Sequence, residues 1–254
     1  MFECTLIVVT DQTARTALML KERRTAEQIR VHYYREGSAG SRLSPDDIPE
    51  NLIKHASHLH ITGITMALSE SAREAVRHAV RLATHNGLTV SLDVNYRTAL
   101  STQEQARQHL TPLLATIDIL FAGADELTLL TAEPAEQKAV LATGVAEVVI
   151  KRGSRGATVH AQETVHIQET GHAEGSIIHA PAVPVTAVDT VGAGDAFAAG
   201  YLAALLDNAP VPERLRLATL AGAFAVTVPD DWTGLPTRAD LDLLAAGDTD
   251  PTLR

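Results

Sequence analysis

The sequence predicts an α/β domain in which helices cover both faces of a mostly parallel sheet. From about Ser44 onward, short apolar runs typical of strands alternate with longer segments of helical periodicity, and the links between them are short. Before Ser44, β-branched residues and an alternation of polar and apolar residues indicate a small sheet with one solvent-facing side. We therefore expect strands within residues 1–43 and a larger α/β body within residues 44–254.

The N-terminal region is predicted to form a β-hairpin. Residues 16–22 and 29–34 are the candidate strands, and they flank a polar segment at residues 23–28 that suits a connecting loop. Residues 5–9 form a further, largely β-branched run that is also typical of a strand.

Helix starts and ends in the body are marked by recognisable capping signals. Ser44 stands before a proline, and capping boxes begin at Ser71 and Ser101, so each of these serines is a predicted helix start. Gly87 follows an asparagine and is typical of a left-handed helix end. The predicted strands span residues 58–62, 88–93, 117–121 and 145–151, and the predicted C-terminal helices span residues 193–206, 212–228 and 237–246.

Composition narrows the class of protein. Hydrophobic residues make up 45% of the 254 residues, which argues against disorder, and the formal net charge of −10 disfavours nucleic acid and anionic membranes as partners. Cys4 is the one cysteine, so no internal disulfide is expected and a reducing compartment is favoured. No apolar run approaches a membrane span, and Met1 is not followed by a basic signal-peptide segment, so we expect a cytoplasmic protein.

One segment carries a pattern suited to phosphate chemistry, the run Asp189-Thr190-Val191-Gly192-Ala193-Gly194-Asp195 directly before an apolar helix. Gly192 and Gly194 allow positive φ and close backbone approach, and successive N–H groups at a helix start form an anion site. Asp195 falls in the first helical turn, where a carboxylate can accept a proton from a hydroxyl that attacks phosphorus. The alternative is an ordinary tight turn with a capping aspartate, but a chance match to six specified residues is on the order of 10⁻⁵.

This segment resembles the C-terminal signature of the ribokinase-like, PfkB-type carbohydrate kinases. The resemblance implies a three-layer α/β/α sandwich with a small, incomplete β lid formed by residues 1–43. It also implies that Gly192, Ala193 and Gly194 form the anion hole, that Asp195 is the catalytic base, and that ATP and Mg²⁺ are used.

Other parts of the pattern point to a nucleotide site. Residues 151–156 follow a predicted strand with a glycine-rich turn, as phosphate sites do in open α/β sheets, although many ordinary turns also carry glycine. They resemble the Lys-x-Gly-x-x-Gly segment that borders the nucleotide in the family. The resemblance assigns these residues to the nucleotide: Lys151, Gly153, Ser154, Gly156, Asn95, Thr190 and Thr219.

Two segments resemble the 2-keto-3-deoxygluconate kinases within that family. Arg97 ends an Asp-x-Asn-x-Arg segment, and Tyr33 and Arg35 form a Tyr-x-Arg segment. A guanidinium binds a sugar-acid carboxylate in a bidentate manner, although the alternative for each arginine is a surface ion pair. Asp231 matches a further segment whose aspartate contacts a substrate hydroxyl, so these four residues are the substrate candidates.

The chain departs from the family pattern at two places. Gly123 stands where an Asn-x-x-Glu motif has asparagine, whereas Glu126 is retained and is expected to hold Mg²⁺ indirectly through water. The chain also starts after the first strand–helix units of the family. We therefore expect a fragment, a misassigned start or a degenerate copy.

The expected function is ATP-dependent phosphorylation of a sugar-acid hydroxyl, with 2-keto-3-deoxygluconate as the best candidate. A ribokinase- or fructokinase-like kinase of a neutral sugar is one alternative. A truncated nucleotide- or sugar-binding protein without catalysis is another. The resemblance further implies a homodimer that pairs through the lid strands.

Overall fold

The strands fall into two separate sheets. The computed structural model describes residues 7–24, 29–131, 140–141, 143–162, 177–229 and 235–245. Within these residues the strands are β1 (Leu18–Arg23), β2 (Ile29–Tyr34), β3 (His58–Thr62), β4 (Thr89–Asp93), β5 (Ile119–Gly123), β6 (Glu147–Lys151), β7 (Ala157–Ala161) and β8 (Ile177–Ala180). Most of them lie where the sequence predicts them.

The larger sheet has the order β3-β4-β5-β6-β7-β8. Strands β3 to β6 are parallel to one another, and β7 pairs antiparallel with both β6 and β8. The smaller sheet is the predicted hairpin, in which β1 and β2 are antiparallel and Leu18 lies opposite Tyr34. The expected α/β architecture with a mostly parallel sheet is confirmed. The β3–β4–β5–β6 run places four carboxyl ends at one edge of the sheet.

Helices pack on both faces of the larger sheet. They are α1 (Glu50–Lys54), α2 (Gly63–Leu68), α3 (Glu70–His85), α4 (Gln103–Leu110), α5 (Ala124–Leu130), α6 (Ala193–Leu206), α7 (Val211–Ala225) and α8 (Arg238–Ala245), with 3₁₀ segments at Ala39–Arg42, Pro45–Asp47, Thr111–Thr116 and Gly153–Arg155. Neighbouring residues of β5 separate the two faces, since Leu120 packs in a core with Val76 of α3 and Phe121 packs in a core with Tyr201 of α6. The sheet is therefore the middle layer of three.

The caps of two helices differ from the sequence prediction by one or two residues. Ser69, not Ser71, caps α3, because its side chain accepts a hydrogen bond from the backbone N–H of Ala72. Thr102, not Ser101, caps α4 and forms a capping box with Gln105. Serine and threonine neighbours compete for the same role, and only the extended backbone of the true cap decides between them. Gly87 has the predicted left-handed conformation, with φ +72°.

A buried polar cluster connects α6 and α7 to the sheet. Glu147 of β6 has a side chain that is 3% exposed. It accepts a hydrogen bond from the Tyr201 hydroxyl at 2.7 Å and pairs with the Arg214 guanidinium at 3.0 Å. Burial and the neighbouring carboxylate raise the pKa of Tyr201, so its hydroxyl stays a donor.

α6 and α7 also touch through backbone. A Cβ atom at Gly200 would lie 2.8 Å from the Leu217 carbonyl oxygen. A Cβ atom at Gly222 would lie 3.3 Å from the Ala193 carbonyl oxygen. The helices can therefore lie this close at Gly200 only because it lacks a side chain, whereas a side chain at Gly222 would require a shift of a few tenths of an ångström.

The hairpin presents an apolar outer face. Leu18, Leu20 and Tyr34 lie on one side of the two strands and are 52–59% exposed. Such a face suits contact with a second copy of the chain, which remains a prediction. In the part of the chain that the structure describes, no helix combines the length and the apolar character that a bilayer span requires.

The Glu147 cluster leads to a stability prediction. Glu147→Gln should lower the free energy of unfolding by about 3 kcal/mol, because the 13%-exposed Arg214 side chain would keep its charge without the carboxylate partner. The measurement is urea unfolding, read as a lower midpoint at an unchanged slope. Glu213→Gln is the control, since Glu213 pairs with Arg216 at the surface and its loss should cost less than about 1 kcal/mol. Equal effects of the two substitutions would contradict the structural role given to Glu147.

Candidate active site

The candidate site lies where the carboxyl ends of the parallel strands meet the start of α6. Asp93 ends β4, Gly123 ends β5 and Lys151 ends β6, and these strands are neighbours in the sheet. Ligands bind beyond this edge in open α/β sheets because loops and helix N-termini converge there. The structure brings the glycine-rich turn, Asp195 and Lys151 together at this edge.

The turn before α6 has the predicted positive φ at Gly192 but not at Gly194. Gly192 has φ +85° in the left-handed region, and α6 begins at the next residue. Gly194 is already helical and has no positive φ. A Cβ atom there would lie 3.4 Å from the Lys151 ammonium nitrogen, an ordinary van der Waals distance, so the ammonium passes close to the first turn of α6.

Asp195 is exposed in the first turn of α6, and among the described residues its carboxylate forms no ion pair. The Asn95 side-chain amide donates a hydrogen bond to Asp195 Oδ1 at 3.2 Å. Asn95 is 8% exposed and adopts a left-handed backbone with φ +42°, which asparagine tolerates better than most residues. The sequence assigned Asn95 to the nucleotide, whereas the structure places its amide on the Asp195 carboxylate.

The Lys151 ammonium is held by a residue that sequence reasoning did not place in the site. Its Nζ lies 2.6 Å from Asp93 Oδ2, and the Asp93 side chain is 2% exposed. Burial raises the pKa of Asp93, and the Lys151 ammonium opposes that change. Asp93 Oδ1 is buried without a hydrogen-bond partner among the described residues. The available signal was its place as the first residue of the Asp-x-Asn-x-Arg segment.

A cavity of about 560 Å³ opens beside the turn. This volume falls in the range of pockets for ligands of nucleotide size. Eight of the residues assigned from the sequence line it: Lys151, Gly153, Ser154, Gly156, Thr190, Ala193, Gly194 and Thr219. Asn95 is not among its lining residues.

Gly156 and Thr219 show how the wall of the cavity is built. Gly156 has φ +83°, and a Cβ atom there would lie 2.1 Å from the Ala180 carbonyl oxygen, so only glycine fits. The Thr219 hydroxyl donates to the Arg216 carbonyl within α7. Thr219 is 8% exposed and lines the cavity with its hydroxyl bonded within its own helix.

The predicted substrate residues are not all on one element: two lie on the hairpin, one follows β4 and one is outside the described residues. The Arg35 guanidinium lies 4.2 Å from the centre of the Tyr33 ring, a cation–π contact at the end of β2. Arg97 is exposed after β4, and its side chain has no hydrogen-bond or ion-pair partner in the described part of the chain. Asp231 lies outside the described residues. The substrate roles of these four residues remain predictions.

Glu126 is held by backbone groups. Its Oε2 accepts a hydrogen bond from the Gly123 N–H at 2.6 Å, and its Oε1 accepts one from the Tyr96 N–H at 2.7 Å. Each carboxylate oxygen keeps a second acceptor position, so a water bound to Mg²⁺ can still be held there. In the described ranges no group of three or more metal-ligating side chains converges. The residues thus fit a magnesium ion that depends mainly on phosphates and water.

A polar group of side chains lies on β3 and β4, next to Asp93 in the sheet. Ser91 Oγ lies 2.7 Å from His58 Nε2 and 2.7 Å from His60 Nδ1. Burial lowers the pKa of His58 to about 4, with the neighbouring His60 adding to the effect, and burial also lowers the pKa of His60. The two imidazoles are therefore neutral at pH 7 and serve as hydrogen-bonding groups.

Comparison with known proteins decides the family. The profile of the pfkB family of carbohydrate kinases matches residues 4–238. The chain belongs to this family. The turn, the aspartate and the lysine described above therefore lie on a carbohydrate-kinase scaffold.

Two relatives of this pfkB-family chain share the name 2-dehydro-3-deoxygluconokinase. The Bacillus subtilis relative is 33% identical over 227 residues, which cover 89% of this chain and 68% of the relative. The Thermoproteus tenax relative is 36% identical over 221 residues, which cover 85% of this chain and 63% of the relative. The chain thus spans about two thirds of the length of these relatives.

Solved structures confirm the ribokinase-like fold. An E. coli protein provisionally named ribokinase II, in its apo form, matches with a TM-score of 0.82 and 25% identity over 92% of this chain and 72% of that chain. A structure of ribokinase II from E. coli in complex with ATP and Mg²⁺ matches with a TM-score of 0.77 and 26% identity over 87% of this chain and 68% of that chain.

The His58 environment predicts a pH-dependent stability. The folded pKa of His58 is about 4 against an ordinary value of 6.5, so the unfolded chain binds more protons between these values. Stability is therefore retained above pH 6.5 and lost as the pH falls towards 4. Because His58 is only partly buried, the loss should stay below about 2 kcal/mol.

The test compares wild type with His58→Gln by urea unfolding at pH 7 and pH 5. The wild type should lose more stability between the two values than the variant does. His85→Gln, at the exposed end of α3, is the matched control and should behave as wild type. An identical pH dependence of wild type and His58→Gln would show that His58 does not titrate as described.

Proposed function

We propose that this protein is an ATP-dependent kinase that phosphorylates a hydroxyl of a keto-deoxy sugar acid of the 2-dehydro-3-deoxygluconate type. The observation that carries the proposal is the Asp195 carboxylate, exposed in the first turn of α6 directly after the left-handed Gly192 and beside the 560 Å³ cavity. The family and the names of the two relatives support it. The sugar acid remains the proposed part, since those names describe the relatives.

The nucleotide is assigned to the cavity. Its phosphates would lie at the N-terminus of α6, where the N–H groups after Gly192 and the helix dipole attract negative charge. The Lys151 ammonium adds a positive charge beside Gly194. These groups are arranged before the reaction and act on the charge that develops on the transferred phosphoryl group.

Asp195 is assigned as the proton acceptor. The sugar hydroxyl oxygen bonds to the terminal phosphorus, the bond from that phosphorus to the ADP oxygen breaks, and the hydroxyl proton passes to Asp195. The Asn95 amide holds Oδ1, which leaves Oδ2 directed to the proton. Bound Mg²⁺ would neutralise phosphate charge, and Glu126 is placed to hold one of its waters.

The carboxylate of the sugar acid is assigned to Arg97, with Arg35 and Tyr33 of the hairpin as further contacts. Arg97 is exposed and its guanidinium is uncommitted among the described residues, so a bidentate contact is available. Arg35 is oriented by the Tyr33 ring. A neutral sugar offers no group that matches this pair of guanidinium ions.

Asp195→Asn should lower kcat by about 10³-fold, because the amide keeps the shape of the carboxylate and loses its basicity. A coupled assay of ADP release with 2-keto-3-deoxygluconate measures the rate, and thermal stabilisation by ATP checks that the nucleotide site survives. Asp207→Asn, at the other end of α6, is the matched control and should keep wild-type turnover. Wild-type turnover by Asp195→Asn would remove Asp195 as the base.

Arg97→Leu should separate a sugar-acid kinase from a neutral-sugar kinase. We expect kcat/KM for 2-keto-3-deoxygluconate to fall about 30-fold, since a charged hydrogen-bonded pair is lost. The rate with fructose, measured in the same assay, should change less than about threefold. Arg81→Leu, exposed on α3, controls for the loss of one positive charge. Equal losses with both sugars would contradict recognition of a carboxylate by Arg97.

A further inference from the structure

An ion pair connects the hairpin to the segment that forms the phosphate-binding turn. Lys21 lies in β1, and its Nζ is 3.0 Å from Asp189 Oδ2. The Asp189 side chain is 3% exposed and the Lys21 side chain is 23% exposed. The contact joins residues 168 positions apart in the chain. Asp189 opens the run that carries the phosphate pattern but was given no role of its own, and Lys21 was not assigned to the site.

Asp189 also shapes the turn itself. Its Oδ1 accepts a hydrogen bond from the Val191 N–H at 2.9 Å, one residue before the left-handed Gly192. The backbone N–H groups of Val188 and Asp189 donate to the Val226 carbonyl, at 2.7 and 3.2 Å. Because one oxygen faces the turn and the other faces the hairpin, a single carboxylate is bonded to both.

Lys21 lies on the same face of the hairpin as a proposed sugar contact. Lys21 is opposite Val31, and Met19 is opposite Tyr33. Opposite residues of an antiparallel pair share a face, as do residues two apart in one strand, so Lys21 and Tyr33 face the same side. The hairpin thus carries the Tyr33–Arg35 pair on the sugar side and the ammonium that reaches Asp189.

The buried position of Asp189 gives this contact its energetic importance. If the hairpin shifted and withdrew the Lys21 ammonium, a buried carboxylate would lose a charge that compensates it at 3.0 Å. The free energy of the turn conformation then depends on the position of the hairpin, so the two are energetically coupled. A ligand that favours the paired arrangement at one of them then raises the affinity for a ligand at the other, and this coupling is reciprocal.

We infer that Lys21 and Asp189 are positioning residues that couple the sugar-side hairpin to the phosphoryl-side turn, so that sugar acid and ATP bind cooperatively. The inference rests on the proposed function, since it takes the hairpin face as the sugar side and the turn as the ATP side. A purely structural contact would instead change the folding stability and leave the ratio of ATP affinities with and without sugar unchanged.

The experiment measures that ratio in the full chain. Calorimetry gives the Kd of a non-hydrolysable ATP analogue, alone and with saturating 2-keto-3-deoxygluconate. We expect binding about fivefold tighter or more with the sugar acid for wild type, and less than about twofold tighter for Lys21→Met. Lys21→Arg keeps the charge and should retain most of the coupling, and Lys54→Met, which removes an exposed ion pair with Glu50, should retain all of it.

Each outcome bears on the inference. Coupling that persists in Lys21→Met overturns it, as does a wild type that phosphorylates the sugar acid without any coupling. Asp189→Asn serves as the second variant if Lys21→Met does not fold, and it should lose the coupling in the same way. A wild type that binds neither ligand and shows no turnover overturns the proposed function and the inference together. The outcomes named first overturn the inference alone, so the two failures can be told apart.

Discussion

The Lys151 ammonium occupies the position on which the geometry of the site depends. It lies at the end of β6, pairs with the buried Asp93 carboxylate at the end of β4, and passes beside Gly194 in the first turn of α6. A lysine side chain without these neighbours would sample many rotamers at a strand end. Here the nearly inaccessible Asp93 carboxylate fixes the position of the Lys151 charge beside the start of α6.

The same strand end also orients Asp195, the proposed base. Asp93 and Asn95 are two residues apart, and one holds Lys151 while the other holds Asp195. The left-handed backbone at Asn95 turns its amide towards α6, a local strain that the surrounding contacts maintain. The loop after β4 therefore sets the relative positions of the Lys151 ammonium and the Asp195 carboxylate.

Much of the fold followed from local sequence patterns, and the contacts within the site did not. The hairpin, the parallel strands and the left-handed Gly192 are each encoded by periodicity or by one residue type, so they could be read from the sequence. The roles of Asp93 and Asn95 depend on side chains brought together from β4, β6 and α6. The Lys21–Asp189 contact spans most of the chain and has no local signature. The misplaced caps at Ser71 and Ser101 failed for a smaller reason, since neighbouring hydroxyl residues are equivalent by type.

The glycines at the crossing of α6 and α7 have a consequence for the width of the cavity beside them. Gly222 lines the cavity and faces Ala193 and Phe197, and Gly200 keeps the two helix axes close behind it. A methyl group at Gly200 would meet the backbone of α7 and push the two helices apart, whereas one at Gly222 would need a shift of only a few tenths of an ångström. The width of the cavity can therefore vary while Asp195 and Lys151 stay unchanged.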